Sequence, residues 1–273
     1  MNKLVLSQGN YLKLASRLQI RKIGFYFLIS LVLFYVPVSI ADSNEQAIQK
    51  VFDQCWTFLS QMHKNIDGLD KAIAMLQQVA EKYPTNKDVY WKLSEVTFKR
   101  AEESIYNTKV EMNQKALAYA EKAAELNPNS PEAHYWIGTC AARIAELSGV
   151  FKALKLVKLA KKELEKCIEL DSKHRFSILA RAILAAIYTE APWPLRDLEK
   201  AESYALEAVK MDPNLTLASV NLAKLYIVQK KFPLANAEIE RCLAIKNPTY
   251  IWDSELYDWP KANILKKETF GKG

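Results

Sequence analysis

The sequence predicts an all-α protein, a solenoid of helical hairpins in a domain that spans residues 42–273. Three observations lead to this fold class. Apolar residues recur at helical spacing, a pattern of small and apolar residues that ends in a helix stop is repeated along the chain, and no alternating Val/Ile/Thr-rich run occurs after the leader. Because one hairpin cannot bury its apolar face alone, the hairpins are expected to stack on one another.

The stretch 114–138 shows one unit with its boundaries. Its first helix carries alanines on one face and stops at Pro128, and the next helix starts after Ser130-Pro131 and places Gly138 on its packing face. This order of helix, proline stop, capped helix and packing glycine resembles a junction between tetratricopeptide repeats.

The same pattern, a small residue followed four, seven and twelve positions later by two packing residues and a stop, occurs five times. The members are Ala72, Leu76, Val79 and Pro84; Ala116, Ala120, Ala123 and Pro128; Ala160, Leu164, Cys167 and Ser172; Ala201, Ala205, Ala208 and Pro213; and Ala235, Ile239, Cys242 and Asn247. The stops lie 44, 44, 41 and 34 residues apart. Only the last interval has the tetratricopeptide length of about 34 residues. The extra residues are expected to lengthen the early hairpins or form loops in them, with breaks near Thr108 and Ser148-Gly149.

Both ends of the array are expected to carry a further helix, which brings the total to eleven or twelve. The capping box Ser43-Asn44-Glu45-Gln46 opens a helix that ends near Asp67-Gly68. The spacing of apolar residues in 252–267 predicts a capping helix over the exposed face of the last repeat.

Residues 1–41 are predicted to be a signal peptide or an N-terminal membrane anchor. They hold five basic residues and no acid, and the apolar run 23–40 indicates export of the downstream domain. Pro37 and the small residues before Asp42 suit a cleavage site, whereas 18 apolar residues almost suffice to span a bilayer. Both alternatives stay open, so we expect a periplasmic protein that is either soluble or tethered to the inner membrane through residues 23–40.

The charge of the chain does not indicate nucleic-acid binding. The net charge is +7, but without the leader 33 basic residues face 31 acidic ones, a difference of +2. A general electrostatic footprint for nucleic acid is therefore missing.

Catalytic, metal and cofactor chemistry is not expected. The three histidines, His63, His134 and His174, belong to no HExxH motif and accompany no GxSxG motif. Glycines are too scattered for a phosphate-binding loop, and no CxxC or Cys/His cluster indicates zinc. The four cysteines have no paired spacing, and Cys167 and Cys242 occupy the small-residue positions of the repeat, so we interpret the cysteines as packing residues.

The first helix of each hairpin should line the inner face of the solenoid, and its inward positions are the candidate partner- or ligand-binding residues. These are Trp91, Glu95, Phe98, Tyr135, Thr139, Leu179 and Lys224, with Ala142, Ile183, Ala186, Val220 and Ile227 at equivalent positions. Because most of them are apolar, they fit an apolar small ligand, a partner helix or a core that is simply filled.

A stripe of lysines lies beyond the second break. Lys152, Lys155, Lys158, Lys162 and Lys166 recur at helical spacing. They are either a solvated helix face or a contact with an acidic partner or an anionic membrane surface.

The region from Ser130 to Leu243 also resembles a known family. It combines a long helix before Glu169-Leu170-Asp171, the turn Pro192-Trp193 after Tyr188, and Asp197 ahead of Lys200-Ala201. In these features it is similar to the TatT family, the tetratricopeptide T component associated with tripartite ATP-independent periplasmic (TRAP) transporters.

This resemblance implies a non-enzymatic periplasmic protein that contacts a solute-binding protein, with a homo-oligomer and an apolar channel as further expectations. The chain departs from the family in having no lipobox cysteine and in carrying Leu195-Arg196 after the turn. The eukaryotic regulators of microtubule dynamics share much the same repeat pattern, so a membrane-anchored protein of that kind is one alternative. A general scaffold for envelope or membrane-complex assembly is another.

Overall fold

The computed structural model describes residues 44–192 and 194–271. In these two ranges all regular structure is helical and no strand occurs, which confirms the predicted all-α fold class. The predicted leader, residues 1–41, and Trp193 of the Pro192-Trp193 turn lie outside the described ranges. No helix within them is long and apolar enough to cross a bilayer.

The chain divides into two compact units, residues 1–52 and residues 53–273. In the first unit, residues 44–52 are helical and open helix α1, which spans 44–60. The second unit holds the rest of α1 and nearly all of the described helices.

The second unit is a series of antiparallel helical hairpins. Its helices are α2 (Gly68–Lys82), α3 (Lys87–Glu102), α4 (Tyr106–Leu126), α5 (Pro131–Glu146), α6 (Val150–Leu170), α7 (Arg175–Glu190), α8 (Leu198–Met211), α9 (Thr216–Val228) and α10 (Phe232–Ala244). The hairpins are α3–α4, α5–α6, α7–α8 and α9–α10, and each packs on the next. The first helices α3, α5, α7 and α9 also contact one another in sequence, as in a solenoid of helical hairpins.

The repeated small residue is fully buried where the helices of each repeat pack. All five members, Ala72, Ala116, Ala160, Ala201 and Ala235, have no exposed surface. At the α5–α6 crossing the partner helix offers a glycine, Gly138, where an added Cβ would lie 2.6 Å from Leu164 Cγ. Small side chains therefore allow the helix backbones to approach, as the sequence pattern predicted.

In the hairpins α3–α4 and α5–α6, most of the extra residues lengthen the second helix. Helices α4 and α6 have 21 residues each, whereas α8 has 14 and α10 has 13. The predicted break at Ser148-Gly149 is confirmed, because Gly149 is the N-cap of α6. The break predicted near Thr108 is wrong. Helix α4 already begins at Tyr106, whose hydroxyl donates to the Leu147 carbonyl at 2.8 Å.

The predicted C-terminal cap is present as helix α12 (Trp259–Phe270). Ala262 packs between α9 and α10, and Trp259 Nε1 donates to the Cys242 carbonyl at 3.1 Å. Two short elements precede α12: α11 (Ile251–Asp253) and a π-helical turn (Ser254–Asp258). Pro260 has no N–H to offer the preceding turn, which accounts for the widened turn at this point.

All four cysteines are buried and unpaired by disulfides, which confirms their interpretation as packing residues. Burial raises the pKa of the Cys55 thiol to about 11. It raises the pKa of Cys140, Cys167 and Cys242 to about 12.

Candidate functional site

A cavity of about 370 Å³ lies on the inner face of the second unit, the face formed by α3, α5, α7 and α9. Residues 250–258, here called the C-terminal segment, pack across this face and close one side of the cavity together with Lys261. The volume falls within the range of small-molecule sites, about 300–1,000 Å³.

The floor of the cavity is aromatic and aliphatic. The Tyr135 ring stacks on Phe176 with centroids 4.7 Å apart, and Trp136 meets Phe176 edge-on at 5.9 Å. Phe98 packs on Trp136 at 5.5 Å. Aromatic rings in mutual contact keep few rotamers, so this floor is a preformed apolar surface. Trp136 Nε1 has no hydrogen-bond partner among the described residues.

The C-terminal segment is held by apolar contacts at its N-terminal end. Trp252 packs in a buried cluster with Leu59, Met62 and Leu69, from α1 and α2 and the turn between them. Its ring also meets Trp56 edge-on, with centroids 5.5 Å apart. The segment therefore connects the end of the last repeat to the first helices of the unit.

Polar contacts hold the segment along the rest of its length. Lys99 Nζ lies 2.5 Å from Asp253 Oδ1, and the Tyr257 hydroxyl donates to Glu103 at 2.6 Å. Thr216 Oγ1 donates to Asp258 Oδ2 at 2.6 Å, in a site where both residues are buried. Of these, the bond from Thr216 satisfies a buried carboxyl that would otherwise have no partner, whereas Glu103 is exposed.

The rim of the cavity is charged but largely compensated. Arg143 pairs with Glu102 at 2.9 Å and also with Glu146, and Lys224 pairs with Glu190. Because these charges are paired, they do not select strongly for either sign of ligand charge.

Arg175 contributes a cation to the cavity wall. Its guanidinium lies 4.3 Å from the Phe176 ring centroid and 5.4 Å from that of Trp56. Contacts of this kind let a charged group line an apolar site, because the aromatic faces replace part of its hydration.

Burial, which removes water, is the main cause of the shifted pKa values of the ionisable groups at the cavity. Burial raises the pKa of the Glu95 carboxyl, against the opposing influence of Arg175. Burial raises the pKa of Asp258 to about 7, although the hydrogen bond from Thr216 acts in the opposite direction. Burial also lowers the pKa of Lys261. The cavity wall therefore combines an aromatic floor with ionisable side chains that have lost much of their water.

The structure brings together six of the seven candidate residues predicted from sequence. Glu95, Phe98, Tyr135, Thr139, Leu179 and Lys224 all line the cavity, as do the equivalent positions Ala142, Ile183 and Ala186. Trp91 does not line it. Its ring packs edge-on against Phe176 at 5.8 Å and its Nε1 donates to Asp88. Val220 and Ile227 also lie away from the cavity, and Val220 packs in the core under the cap.

The C-terminal segment was not predicted from sequence as a wall of the site. Arg175 and Phe176 were not predicted either, because they lie at the start of α7, before the first inward position assigned to that helix. The sequence did contain a hint of this wall: Tyr250, Trp252, Tyr257 and Trp259 together offer more aromatic surface than one capping helix needs to bury.

Two of the three histidines, His134 and His174, have structural contacts. His134 Nδ1 lies 2.6 Å from Glu163 and its Nε2 lies 2.9 Å from the Pro128 carbonyl. His174 is the N-cap residue of α7. No cluster that could hold a metal ion occurs in the part of the chain that the structure describes.

Residues 57–180 match the family model of regulator of microtubule dynamics proteins 1–3. Regulator of microtubule dynamics protein 1 of Pongo abelii is 32% identical over 112 residues, which are 36% of each chain. The mouse protein is 27% identical over 152 residues, 46% of this chain and 50% of the relative. The chain thus matches between about a third and a half of the length of these relatives.

Solved structures with a similar fold include a tetratricopeptide-repeat (TPR) protein. A thermophilic TPR protein of Thermus thermophilus superposes with a TM-score of 0.57 at 13% identity and covers 77% of this chain and 99% of its own. The pilF protein of Pseudomonas aeruginosa superposes with a TM-score of 0.54 at 11% identity and covers 85% and 95%. The chain therefore has a TPR-like fold of helical hairpins, here with a cavity on its inner face that its own C-terminal segment borders on one side.

Proposed function

We propose that the chain is a non-enzymatic interaction scaffold and that the cavity on its inner face binds an apolar small ligand or an apolar side chain of a partner protein. The observation that carries this proposal is the aromatic floor of a cavity of about 370 Å³. A filled core would leave no such volume between Tyr135, Leu179 and the C-terminal segment.

The environment of potential nucleophiles supports binding rather than catalysis. Activated cysteines have a lowered pKa, whereas burial raises the pKa of all four thiols here. The hydroxyl group of Tyr135, at the cavity, likewise has a raised pKa because it is buried.

One setting for such a scaffold is solute uptake. The similarity of the Ser130–Leu243 region to the TatT family, together with the apolar leader, supports a periplasmic accessory of a TRAP-type system that contacts a solute-binding protein. The protein would be soluble or tethered to the inner membrane through residues 23–40, and it would assemble as a homo-oligomer.

A second setting is favoured by the match of residues 57–180 to the regulators of microtubule dynamics. That range includes Glu95, Phe98, Tyr135, Thr139 and Leu179, so the matched residues supply much of the cavity. In this setting the chain is a membrane-anchored protein whose cavity serves the same binding role. A scaffold for membrane-complex assembly needs only the stacked hairpins and makes no use of the cavity.

Filling the cavity tests the proposal. In Leu179→Trp the larger side chain takes up part of the cavity and should displace an apolar ligand. We expect to detect that ligand in the wild-type protein by native mass spectrometry and solvent extraction. Leu206→Trp on α8, where Leu206 is 46% exposed, is the matched control and should retain the ligand.

The partner is tested with the same pair of variants. Crosslinking and copurification from the native membrane fraction should recover a protein partner with the wild type and the Leu206→Trp control, and not with Leu179→Trp. A solute-binding protein among the partners would support the uptake setting. Recovery of neither ligand nor partner, or equal recovery with both variants, would refute a binding role for the cavity.

A further inference from the structure

The turns α3–α4 and α5–α6 lie side by side at one end of the two longest hairpins. The Tyr106 hydroxyl donates to the Leu147 carbonyl at 2.8 Å and joins the two turns. Residues 104–106 and 147–151 are here called the tip.

The tip exposes four large apolar side chains. Ile105 is 79% exposed, Tyr106 60%, Val150 70% and Phe151 88%. These are the most exposed large apolar side chains in the described ranges; Ile264 comes next at 55%. Single exposed apolar residues are common on protein surfaces, but a group of four on joined turns marks an interaction site.

The tip projects beyond the last hairpin, α9–α10. In α4 the small packing residue Ala116 lies ten positions after the first residue, Tyr106, whereas in α10 the equivalent Ala235 lies three positions after Phe232. The seven additional residues therefore extend the hairpin toward the tip, by roughly 10 Å at the helical rise per residue. The exposed apolar groups sit on a projection, not in a groove.

Basic residues continue from the tip along α6. Lys152, Lys155 and Lys158 are exposed, and the sequence contains no acidic residue from Leu147 to Lys162. The ion pairs of α6 begin only with Lys162 and Glu163. Of the acidic groups next to the turns, Glu146 pairs with Arg143, whereas Glu103 accepts a hydrogen bond from the neutral Tyr257 hydroxyl and keeps its charge.

We propose that the tip docks on the surface of a membrane rich in anionic lipids. Phe151, Val150 and Ile105 enter the boundary between headgroups and acyl chains, while Lys152 and Lys155 contact lipid phosphates. Apolar residues combined with lysines are typical of segments that lie in the membrane interface. Protein–protein interfaces are instead depleted in lysine, which disfavours an acidic protein as the occupant.

A fluorophore placed at the tip of the full chain reports this contact directly. The native cysteines are buried, so Val150→Cys can be labelled selectively with a nitrobenzoxadiazole group. Asn129→Cys, an exposed position at the other end of α4, is the matched control. The probe is a vesicle of equal parts phosphatidylcholine and phosphatidylglycerol, with a quencher on the lipid chains. The local readout stays informative even when the leader itself anchors the chain.

The emission of the label at position 150 should shift to the blue, and the quencher on the lipid chains should reduce its intensity. Both effects should be far larger with anionic vesicles than with phosphatidylcholine alone. The label at position 129 should not respond. Lys152→Gln with Lys155→Gln should raise the vesicle concentration at half response by about fivefold per lysine. Phe151→Ser should raise it by roughly tenfold. The charge-matched control, Lys87→Gln with Lys173→Gln at the opposite end of the hairpins, should leave it unchanged.

Two results would overturn the proposal. One is a label at position 150 that stays unquenched with anionic vesicles, or that responds no more than the label at position 129. The other is a response to soluble polyglutamate without a response to vesicles, which would assign the tip to an acidic protein partner.

Discussion

At the scale of single residues, the α5–α6 crossing depends on the absence of one side chain. A Cβ at position 138 would lie 2.6 Å from Leu164 Cγ and 3.0 Å from the Ala160 carbonyl oxygen. Neither atom can move freely, because Leu164 has no exposed surface and the carbonyl belongs to the α6 backbone. Glycine in mid-helix costs about 1 kcal/mol in propensity relative to alanine, so close packing is the reason for it here.

Gly138→Ala should therefore destabilise the protein although alanine is the better helix former. The overpacking cost of up to about 3 kcal/mol exceeds the gain in propensity, which leaves a loss of about 2 kcal/mol in the free energy of unfolding. Urea denaturation measures this loss. Gly149→Ala, where an added Cβ meets no atom within 4 Å, should cost less than about 1 kcal/mol, because it only replaces a favourable N-cap residue of α6. An unchanged or raised stability of Gly138→Ala would contradict the packing argument.

Single positions on the inner face could be predicted because helical spacing fixes which side chains share a face. That spacing placed Tyr135, Thr139 and Leu179 correctly. It could not show that a side chain from another helix covers a position. Trp91 shares the predicted face, but Phe176 of α7 packs against it and takes its place at the cavity.

At the scale of elements, the C-terminal residues have two roles where the sequence predicted one. The spacing of Leu256, Trp259, Ala262 and Leu265 indicated a single helix, and α12 indeed caps the last hairpin. The π-helical turn before α12 changes the register of that spacing, so Trp252 reaches the start of the unit instead. A linear pattern cannot show such a change, because it depends on partners nearly 200 residues away in the chain.

The attachment of the C-terminal segment should weaken as pH rises. Buried Asp258 has a pKa of about 7, raised from 3.8 by burial, with Asp253 raising it further and Lys99 and Lys261 opposing. Its stabilising contribution is present below about pH 4 and is lost as pH rises through about 7, because the folded site favours the protonated carboxyl. Between about pH 5 and pH 8 the protection of amides 254–261 from hydrogen exchange should fall by roughly a hundredfold after correction for intrinsic rates.

Asp258→Asn is the matched variant for this prediction. Its amide oxygen can still accept the hydrogen bond from Thr216, but it does not ionise. The protection of the same amides should then be nearly independent of pH over this range. An equally steep decrease in Asp258→Asn would show that another buried acid, such as Glu95, causes the effect.

At the scale of the whole second unit, the C-terminal segment ties the two ends of a repeat array together. Stability in stacked repeats is carried by contacts between neighbours, so each end is the weakest place. Here α12 covers α9 and α10, and Trp252 packs against Leu59, Met62 and Leu69 at the other end. One stretch of about twenty residues therefore protects both ends at once.

Removal of residues 250–273 should accordingly loosen both ends of the unit and spare its middle. We expect hydrogen exchange to accelerate in α2 and in α9–α10, while α5–α6 keep their protection, because their contacts lie within the array.

Two substitutions separate the effects at the two ends of the unit. Trp252→Ala, which removes a side chain only 7% exposed, should cost about 3 kcal/mol of local stability and accelerate exchange mainly in α2. Ala262→Asp places a charge under the cap and should act mainly on α9–α10. If the truncated chain loosens only at α9–α10, or Trp252→Ala leaves α2 unchanged, the segment is a simple C-terminal cap and does not join the two ends.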